Sequence, residues 1–421
     1  MEHGVTIEHV EDWLIGEALG DPDILLLFEN LCRRLNAAGI PLDRASVTWP
    51  TLHPLFRAEQ ILWRKEGGCE LFQYALEEGL AEAWLKSPFH YALVNHLDMM
   101  RRRLIGPEML VDFEVLEEFR DDGYTDYLLT STDFQIANVN SFARGDTGII
   151  ASWATQREDG FAESDMQALT RIQRIFAVAC RASIQQRIMN NIAQAYLGRI
   201  GAERVLSGNI RLGDGERIRA IVWFSDLRGS SWLSFRMAPD AYLAMLRKYY
   251  ACTAQSVIDE GGEVLDFIGD GVLGIFPVKG DFGLPDAVNA ATRAMETALR
   301  RGDALAAERQ AAEPEISFSV VMAAGEVMFG NVGVDARLVF TAIGETVNIV
   351  TRIDDLTKTL GRSVLVTEEI AQVDPDHWLS VGQQAIPGMN TSRALYARAC
   401  EVDRFDNDAL VERMRAALEA S

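Results

Sequence analysis

The chain has 421 residues, 48% of them hydrophobic and 24% charged, which is ordinary for a soluble protein of two or three domains. Its formal net charge of −22 argues against nucleic acid or an anionic membrane surface as a partner, because both would repel it. A local basic pocket for a triphosphate is still compatible with this charge, since net charge does not describe a single site.

The cysteine and histidine patterns exclude several other classes. The five cysteines are scattered and no pair has metal-ligand spacing, so we expect reduced thiols in a cytoplasmic protein. The six histidines form no HxxxH or HExxH pattern, which argues against a zinc site. The acidic N-terminus has no apolar core of a signal peptide, and no run reaches the length of a membrane span.

Residues 1–160 alternate helical and strand-like patterns, which predicts an α/β module of the size of a sensor domain. Helices are expected at 24–38 and 114–122, and strands at 45–49, 60–64, 124–130 and 148–154. A group of aromatic residues could line a ligand pocket, although aromatic residues are more often core: Trp49, Trp63, Trp84, Phe89 and Tyr91.

Residues 164–215 are predicted to connect two domains. Ser164 and Gln167 have the spacing of a capping box and precede an amphipathic helix of about thirty residues that ends at Gly198. Such a helix can pair with its copy in a parallel dimer, or it can pack on its own domain. The apolar positions are Leu169, Ile172, Phe176, Ala179, Ile184, Ile188, Ile192 and Tyr196.

Residues 216–402 have a clearer order of elements. A strand precedes a helix, a hairpin, a second helix, a strand with a glycine-rich ribbon, a third helix and a further strand. This order is βαββαβ with additions and predicts a ferredoxin-like α+β domain. Residues 403–421 are predicted to form a helical tail.

Two aspartates in this region stand at the edges of apolar, strand-like runs. Asp226 follows residues 221–224, and Asp270 lies between residues 264–268 and 272–276. Carboxylates on adjacent strand ends can hold two divalent cations, which activate a hydroxyl and stabilise a leaving phosphate. Taken alone, the pair is more typical of aspartates that cap the ends of strands and turns.

A third stretch carries Asn348 and Arg352, one helical turn apart, so that both side chains leave the same face of a helix. An amide next to a guanidinium suits a ribose oxygen and a phosphate that gains negative charge. No Walker A lysine loop is present, which argues against the P-loop class.

Four motifs in order, with compatible spacing, resemble the catalytic domain of class III nucleotide cyclases. The resemblance covers residues 217 to about 400. The motifs are Phe224 to Gly229, Gly269-Asp270-Gly271, Gly325-x4-Gly330-Asn331-Val332-Gly333, and Phe340-Thr341-x2-Gly344-x2-Val347-Asn348-x3-Arg352.

The resemblance implies a homodimeric enzyme that forms a 3′,5′-cyclic nucleotide and pyrophosphate from a nucleoside triphosphate, at two sites shared across the dimer. Asp226, Asp270 and the backbone carbonyl of Leu227 would bind two Mg²⁺ or Mn²⁺ ions. Asn348 would orient the ribose and Arg352 would stabilise the transition state, both from the partner subunit. The backbone of Leu227, Arg228 and Gly229 would help to hold phosphate.

The chain departs from the adenylate cyclases of this family at the position that reads the base. Asp266 stands where they usually carry a lysine, and Thr341 is the second base-reading position. A carboxylate accepts from guanine N1–H or from the adenine amino group, so ATP and GTP both stay open, and the side-chain chemistry favours GTP. ATP is slightly favoured, because adenylate cyclases prevail among bacterial relatives.

The N-terminal module is similar to the GAF-like sensor modules that precede bacterial cyclase domains, on the residues 151–155 and Gly160-Phe161. The resemblance implies regulation by an unknown small molecule or protein, for intracellular signalling. Two alternatives to a purine cyclase stay open. The first is a nucleotide-binding regulator without strong activity, and the second is a pyrimidine cyclase.

Overall fold

The computed structural model describes residues 6–20, 22–51, 53–75, 79–134, 148–280, 283–310, 313–334, 336–400 and 407–419. Contacts divide the chain into two compact units, Met1–Ala195 and Tyr196–Ser421. The predicted C-terminal tail lies partly outside the described residues. Among the described helices, none combines the length and the apolar character that a bilayer crossing requires.

The first unit is built on a six-stranded antiparallel sheet in the order β3-β2-β1-β6-β5-β4. Its strands are β1 (Arg44–Pro50), β2 (Phe56–Arg64), β3 (Gly68–Ala75), β4 (Met99–Arg103), β5 (Asp126–Thr132) and β6 (Ile149–Thr155). Its helices are α1 (Ile7–Ala18), α2 (Ile24–Ala37), α3 (Gly79–Leu85), α4 (Pro88–Val94), α5 (Glu114–Asp121) and α6 (Glu163–Leu206), which continues into the second unit. The helices and strands predicted here are confirmed; β2 begins four residues before its predicted start, and the other ends shift by at most two residues.

Helix α6 differs from the predicted connector. It spans 44 residues, and Gly198, with φ of 71°, interrupts it instead of ending it. The apolar positions from Leu169 to Ile188 are buried in the core of the first unit, against α2 and β1. Most of the stripe that we considered for pairing two chains therefore packs on its own domain, because that core needs a cover on this face of the sheet.

An ion pair also holds α6 against the sheet, close to Ile188 at the end of the buried stretch. Arg187 on α6 donates through Nε and Nη2 to the buried carboxylate of Glu59 on β2, at 3.1 Å each. Trp49 Nε1 donates to the same carboxylate at 3.2 Å. These donors lower the pKa of Glu59 although burial raises it. The carboxylate can therefore stay charged in the interior, where it holds α6 to the sheet.

The second unit is an eight-stranded sheet in the order β13-β14-β12-β10-β7-β9-β8, with β11 paired to β10. Its strands are β7 (Gly215–Leu227), β8 (Glu263–Ile268), β9 (Gly271–Pro277), β10 (Phe318–Val334), β11 (Arg337–Ile343), β12 (Val364–Thr367), β13 (Trp378–Ala385) and β14 (Ser392–Arg398). Its other helices are α7 (Ser230–Arg236), α8 (Pro239–Cys252), α9 (Ala254–Asp259), α10 (Gly283–Glu308), α11 (Glu345–Leu360), α12 (Glu368–Ala371) and α13 (Asn407–Glu419).

Alternation along the central strand β7 places helices on both faces of this sheet. Ile221 and Trp223 point to the face covered by α8, α9 and α10, and Ala220, Val222 and Phe224 point to the face covered by α11. The predicted α+β fold with a βαββαβ core is confirmed. Two details differ, since the single helix predicted after the first strand is divided at Thr253 into α8 and α9, and the glycine-rich ribbon continues β10 without a break.

Candidate functional site

The two predicted metal aspartates lie at the same edge of the sheet. Asp226 is next to the end of β7, and Asp270 occupies a two-residue turn between β8 and β9. Gly269, the other turn residue, has φ of 66°, a conformation that favours glycine. Because β7 and β9 are antiparallel neighbours, with Ser225 opposite Val272, the end of one strand lies beside the start of the other. The fold therefore brings together carboxylates that are far apart in sequence.

The surroundings of this pair are short of positive charge. Burial, together with the nearby charges of Asp354 and Asp270, raises the pKa of Asp226 to about 7. The Oδ2 atom of Asp270 is buried and has no hydrogen-bond partner. Lys358 offers partial compensation, with its Nζ 3.8 Å from Asp226 Oδ2. An electron-rich carboxylate pair of this kind suits a hard divalent cation.

The pair also fits the way in which Mg²⁺ is usually held. Among the described residues, no group of three or more histidine, cysteine or acidic side chains has the arrangement of a complete metal site. Mg²⁺ at nucleotide sites takes one or two carboxylates and completes its shell with water and substrate phosphates. Two carboxylates with an unpaired oxygen are therefore a sufficient protein contribution when a triphosphate supplies the rest.

A second layer supports Asp226 from behind, and the sequence pattern did not reveal it. Asp354 on α11 is buried and accepts a short hydrogen bond from the hydroxyl of Ser319 on β10. Ser319 lies opposite Asp226 in the β7–β10 register, and its Oγ is 3.4 Å from the Asp226 carbonyl oxygen. Burial raises the pKa of Asp354. The spacing of Asp354 and Lys358, one helical turn apart, was the available signal.

Asn348 and Arg352 also lie on α11, but on a different face from Asp354 and Lys358. Both side chains are exposed. Six residues along an α-helix amount to a rotation of about 120° after full turns are removed. Asp354 is six residues after Asn348, and Lys358 is six after Arg352, so the exposed pair is turned away from the pair that supports Asp226. The Arg352 guanidinium lies beside Gly388, in the connection between β13 and β14.

The two base-reading candidates stand on two strands that approach each other without pairing in the sheet order. Asp266 is half-buried on β8, directly after an irregularity in the β8–β9 register between Val264 and Asp266. Thr341 is half-buried on β11, opposite Gly330 of β10, and β11 approaches β8. Such irregularities change the direction of a side chain next to a site, which is what a base pocket requires.

The predicted phosphate-binding residues have mixed environments. Leu227 is buried at the end of β7, and Gly229 has φ of 71° directly before α7. Arg228 is buried, and its Nη2 donates to Thr357 Oγ1 at 2.7 Å. The backbone N–H of Arg228 donates to the carbonyl of Ser317. Arg228 thus joins β7 to the end of α11. Because its backbone N–H is already bonded to Ser317, the predicted contact with phosphate would have to be made by other backbone groups of this turn.

The aromatic residues of the first unit separate into two groups. Trp49 and Trp63 are buried in the core, as aromatic residues usually are. Tyr91 instead lines an open surface pocket of about 450 Å³, together with Leu85, Val94 and Phe113. Nothing about this pocket identifies a ligand, and the GAF-like assignment of the unit stays a prediction.

No family model matches the chain. It is similar to an adenylate cyclase of Anabaena cylindrica, with 32% identity over 169 residues, 39% of this chain and 32% of that protein. It is also similar to the terminal-differentiation-specific adenylate cyclase of Dictyostelium discoideum, with 27% identity over 51% of this chain and 9% of that protein. The chain thus spans a third or less of these two relatives.

One comparison of structures extends over both units. The solved structure of a bacterial light-regulated adenylyl cyclase matches 89% of this chain and 99% of its own, with a TM-score of 0.50 and 13% sequence identity. At that identity the match describes the fold alone. The chain is thus similar in sequence to proteins named adenylate cyclase and in fold to a bacterial adenylyl cyclase, as the four motifs led us to expect.

Proposed function

We propose that the protein converts a purine nucleoside triphosphate to the 3′,5′-cyclic monophosphate and pyrophosphate, with ATP favoured as the substrate. The observation that carries this proposal is the half-buried carboxylate pair at the β7–β9 edge, short of positive charge and open to a cation. The Asn348 and Arg352 pair, presented to solvent by α11, supplies the second half of the constellation that the motifs imply.

Each residue has a defined task in this proposal. Asp226, Asp270 and the Leu227 carbonyl would hold two Mg²⁺ or Mn²⁺ ions, whose chemistry would be to activate the ribose 3′-hydroxyl and to neutralise the triphosphate. Asn348 donates to the ribose ring and keeps the 3′-oxygen in line with the α-phosphorus. Arg352 donates to the α-phosphate as its negative charge grows, an interaction that is stronger in the transition state than in the substrate.

We further propose that Asn348 and Arg352 act in the site of a partner subunit. Their exposure, and their rotation away from Lys358 and Asp354 on the same helix, support this assignment. Helix α6 also supports a parallel dimer, because an exposed apolar stripe with heptad spacing runs along it, beside the apolar positions that are buried in the first unit. The stripe consists of Val178, Ala182, Met189, Ile192 and Tyr196.

The base pocket offers a second candidate substrate, GTP. The Asp266 carboxylate can accept from guanine N1–H and its amino group while Thr341 donates to guanine O6. With adenine, Asp266 accepts from the amino group and Thr341 donates to N1. A few hydrogen bonds decide this selectivity, and both arrangements satisfy each side chain. The signal that acts on the first unit, and a cytoplasmic location, stay predictions.

The proposal is tested by incubating the purified chain with Mn²⁺ and each of ATP, GTP, CTP and UTP, followed by separation of the products. We expect a cyclic purine nucleotide and stoichiometric pyrophosphate, with cyclic AMP exceeding cyclic GMP. Cyclic CMP or UMP as the main product would replace the purine assignment with a pyrimidine one. If none of the four nucleotides is cyclised, while nucleotide binding persists, the chain is a binding regulator and the enzyme proposal fails.

A further inference from the structure

A buried carboxylate outside the proposed site holds the point where α6 enters the second unit. Glu263 is 5% exposed and stands at the first position of β8. Its Oε1 accepts a hydrogen bond of 2.9 Å from the backbone N–H of Ile200. Ile200 is the second residue after the interruption of α6 at Gly198. Glu263 therefore acts as an N-terminal cap for the last part of α6, supplied from a distant strand.

The backbone at Gly198 is shaped for this contact. Its φ of 71° is unfavourable for residues with a side chain. A Cβ at this position would also lie 2.3 Å from Glu263 Oε1. Glycine at the interruption thus serves two purposes, since it permits the turn and leaves room for the carboxylate. Both observations point to a close contact between α6 and β8 that depends on these two residues together.

The strand that receives this contact also carries two residues of the proposed site. Asp266 is three positions after Glu263, and Asp270 lies in the turn at the far end of β8. Strand β8 is at the end of the sheet order, so its ladder hydrogen bonds run to β9 and to no second strand among the described residues. An edge strand of this kind relies on additional contacts for its position.

We propose that Glu263 is a positioning residue, which ties the β8–β9 hairpin, with Asp266 and Asp270, to the end of α6. The functional part of this inference rests on the proposed cyclase reaction. The contact makes the placement of a metal ligand and a base-reading residue depend on how α6 continues into the second unit. A change in α6 then reaches the site through one strand.

The test compares three variants of the full chain. Glu263→Ala removes the acceptor, Glu263→Gln keeps an acceptor oxygen in the same place, and Gly198→Ala pushes a methyl group into the carboxylate. Glu308→Ala, an exposed acidic residue on α10, is the matched control. Two readouts need no turnover: amide hydrogen exchange of residues 199–206 and 263–271, and Mn²⁺ affinity measured by electron paramagnetic resonance without nucleotide.

We expect Glu263→Ala and Gly198→Ala to speed exchange in both segments by about tenfold, the effect of losing one buried hydrogen bond, and to weaken Mn²⁺ binding several-fold. Glu263→Gln and Glu308→Ala are expected to behave like the unaltered chain. Faster exchange in 199–206 alone, with unchanged exchange in 263–271 and unchanged Mn²⁺ affinity, would overturn the proposal, because Glu263 would then only cap the helix. Since both readouts precede catalysis, a failure of the cyclase proposal would be seen separately in the nucleotide assay.

If Glu263→Ala fails to fold, the proposal is still tested by the double variant of Gly198→Ala with Glu263→Gln. In this double variant, Gly198→Ala should still speed exchange in 263–271. The added methyl group would collide with the amide at position 263 as it does with the carboxylate. Exchange in 263–271 at the level of the unaltered chain in this double variant would contradict the proposed contact.

Discussion

The two halves of the proposed site are held in different ways. Asp226 and Asp270 are half-buried, and the β7–β10 ladder, Ser319 and Asp354 support them within one subunit. Asn348 and Arg352 are exposed on a turn of α11 that faces away from this support. This contrast underlies our proposal that one copy of the chain completes the cation-binding half and that its ribose and phosphate half acts in the site of another copy.

The largest expected effect comes from the buried half. Replacing Asp226 or Asp270 by Ala removes a cation ligand, and we expect cyclase activity to fall by on the order of 10³-fold. Steady-state rates with Mn²⁺ and ATP measure this, and circular dichroism serves as the folding control. Near-normal activity of either variant would contradict the assignment of the carboxylate pair.

The exposed half should give a smaller loss of a different kind. Arg352→Ala and Asn348→Ala are expected to lower kcat by about 10²-fold, because contacts made mainly in the transition state are lost. Since both residues are exposed, thermal stability and Mn²⁺ affinity should not change. Thr351→Ala on the same helix is a control. A loss of Mn²⁺ affinity in Arg352→Ala would show that the two halves are not separate.

Base selectivity should respond to one position of the site. We expect Asp266→Lys to raise the ratio of ATP to GTP turnover by about 10- to 100-fold, since lysine donates to adenine N1 and cannot accept from guanine N1–H. Competition assays with both nucleotides measure the ratio, and Asp266→Asn is the conservative comparison. An unchanged ratio would mean that Asp266 does not read the base.

The smallest effect concerns stability and pH. The folded-state pKa of Asp226 is raised to about 7, above its value in an unfolded chain. The folded protein therefore binds this proton more tightly, and without metal its stability falls as pH rises from about 4 to 7. At pH 8, Asp226→Asn is expected to raise the free energy of unfolding by roughly 1 kcal/mol after allowance for solvent screening, a few degrees in Tm.

The same protonation should oppose cation binding. Below pH 7 a proton competes for Asp226, so Mn²⁺ affinity of the unaltered chain is expected to fall by up to about tenfold per pH unit. Titrations followed by electron paramagnetic resonance at pH 6, 7 and 8 test this. A Mn²⁺ affinity independent of pH, together with a destabilised Asp226→Asn variant, would contradict the account of a crowded, proton-binding pair.

Much of the second unit could be predicted from the sequence, because the apolar residues of each strand or helix recur with the period of that element. The alternation along 220–224 and the glycine-aspartate turn at 269–270 led to both carboxylates at one edge. Ser319 could not be found in this way, and the helical spacing of Asp354 and Lys358 did not by itself connect them to Asp226. Their role depends on how α11 packs over β7 and β10, a long-range contact that local patterns do not contain.

Helix α6 shows what the apolar period of a sequence cannot predict. Its amphipathic period predicted a helix, but a period cannot tell which surface covers an apolar stripe. The stripe from Leu169 to Ile188 packs on the first unit, whereas Ile192 and Tyr196 of the predicted stripe stay exposed together with Val178, Ala182 and Met189. The interruption at Gly198 was predicted as an end, because glycine is typical of helix ends. Glu263, which caps the continuation, comes from a strand 63 residues further along the chain.

The central claim, that each site draws its two halves from different subunits, is tested most directly by complementation. Asp226→Ala and Arg352→Ala are each expected to be nearly inactive alone. When they are coexpressed in equal amounts, half of the dimers are mixed and each mixed dimer keeps one intact site, so we expect about a quarter of normal activity. Activity no higher than the sum of the two variants, with mixed dimers verified by native mass spectrometry, would contradict the claim.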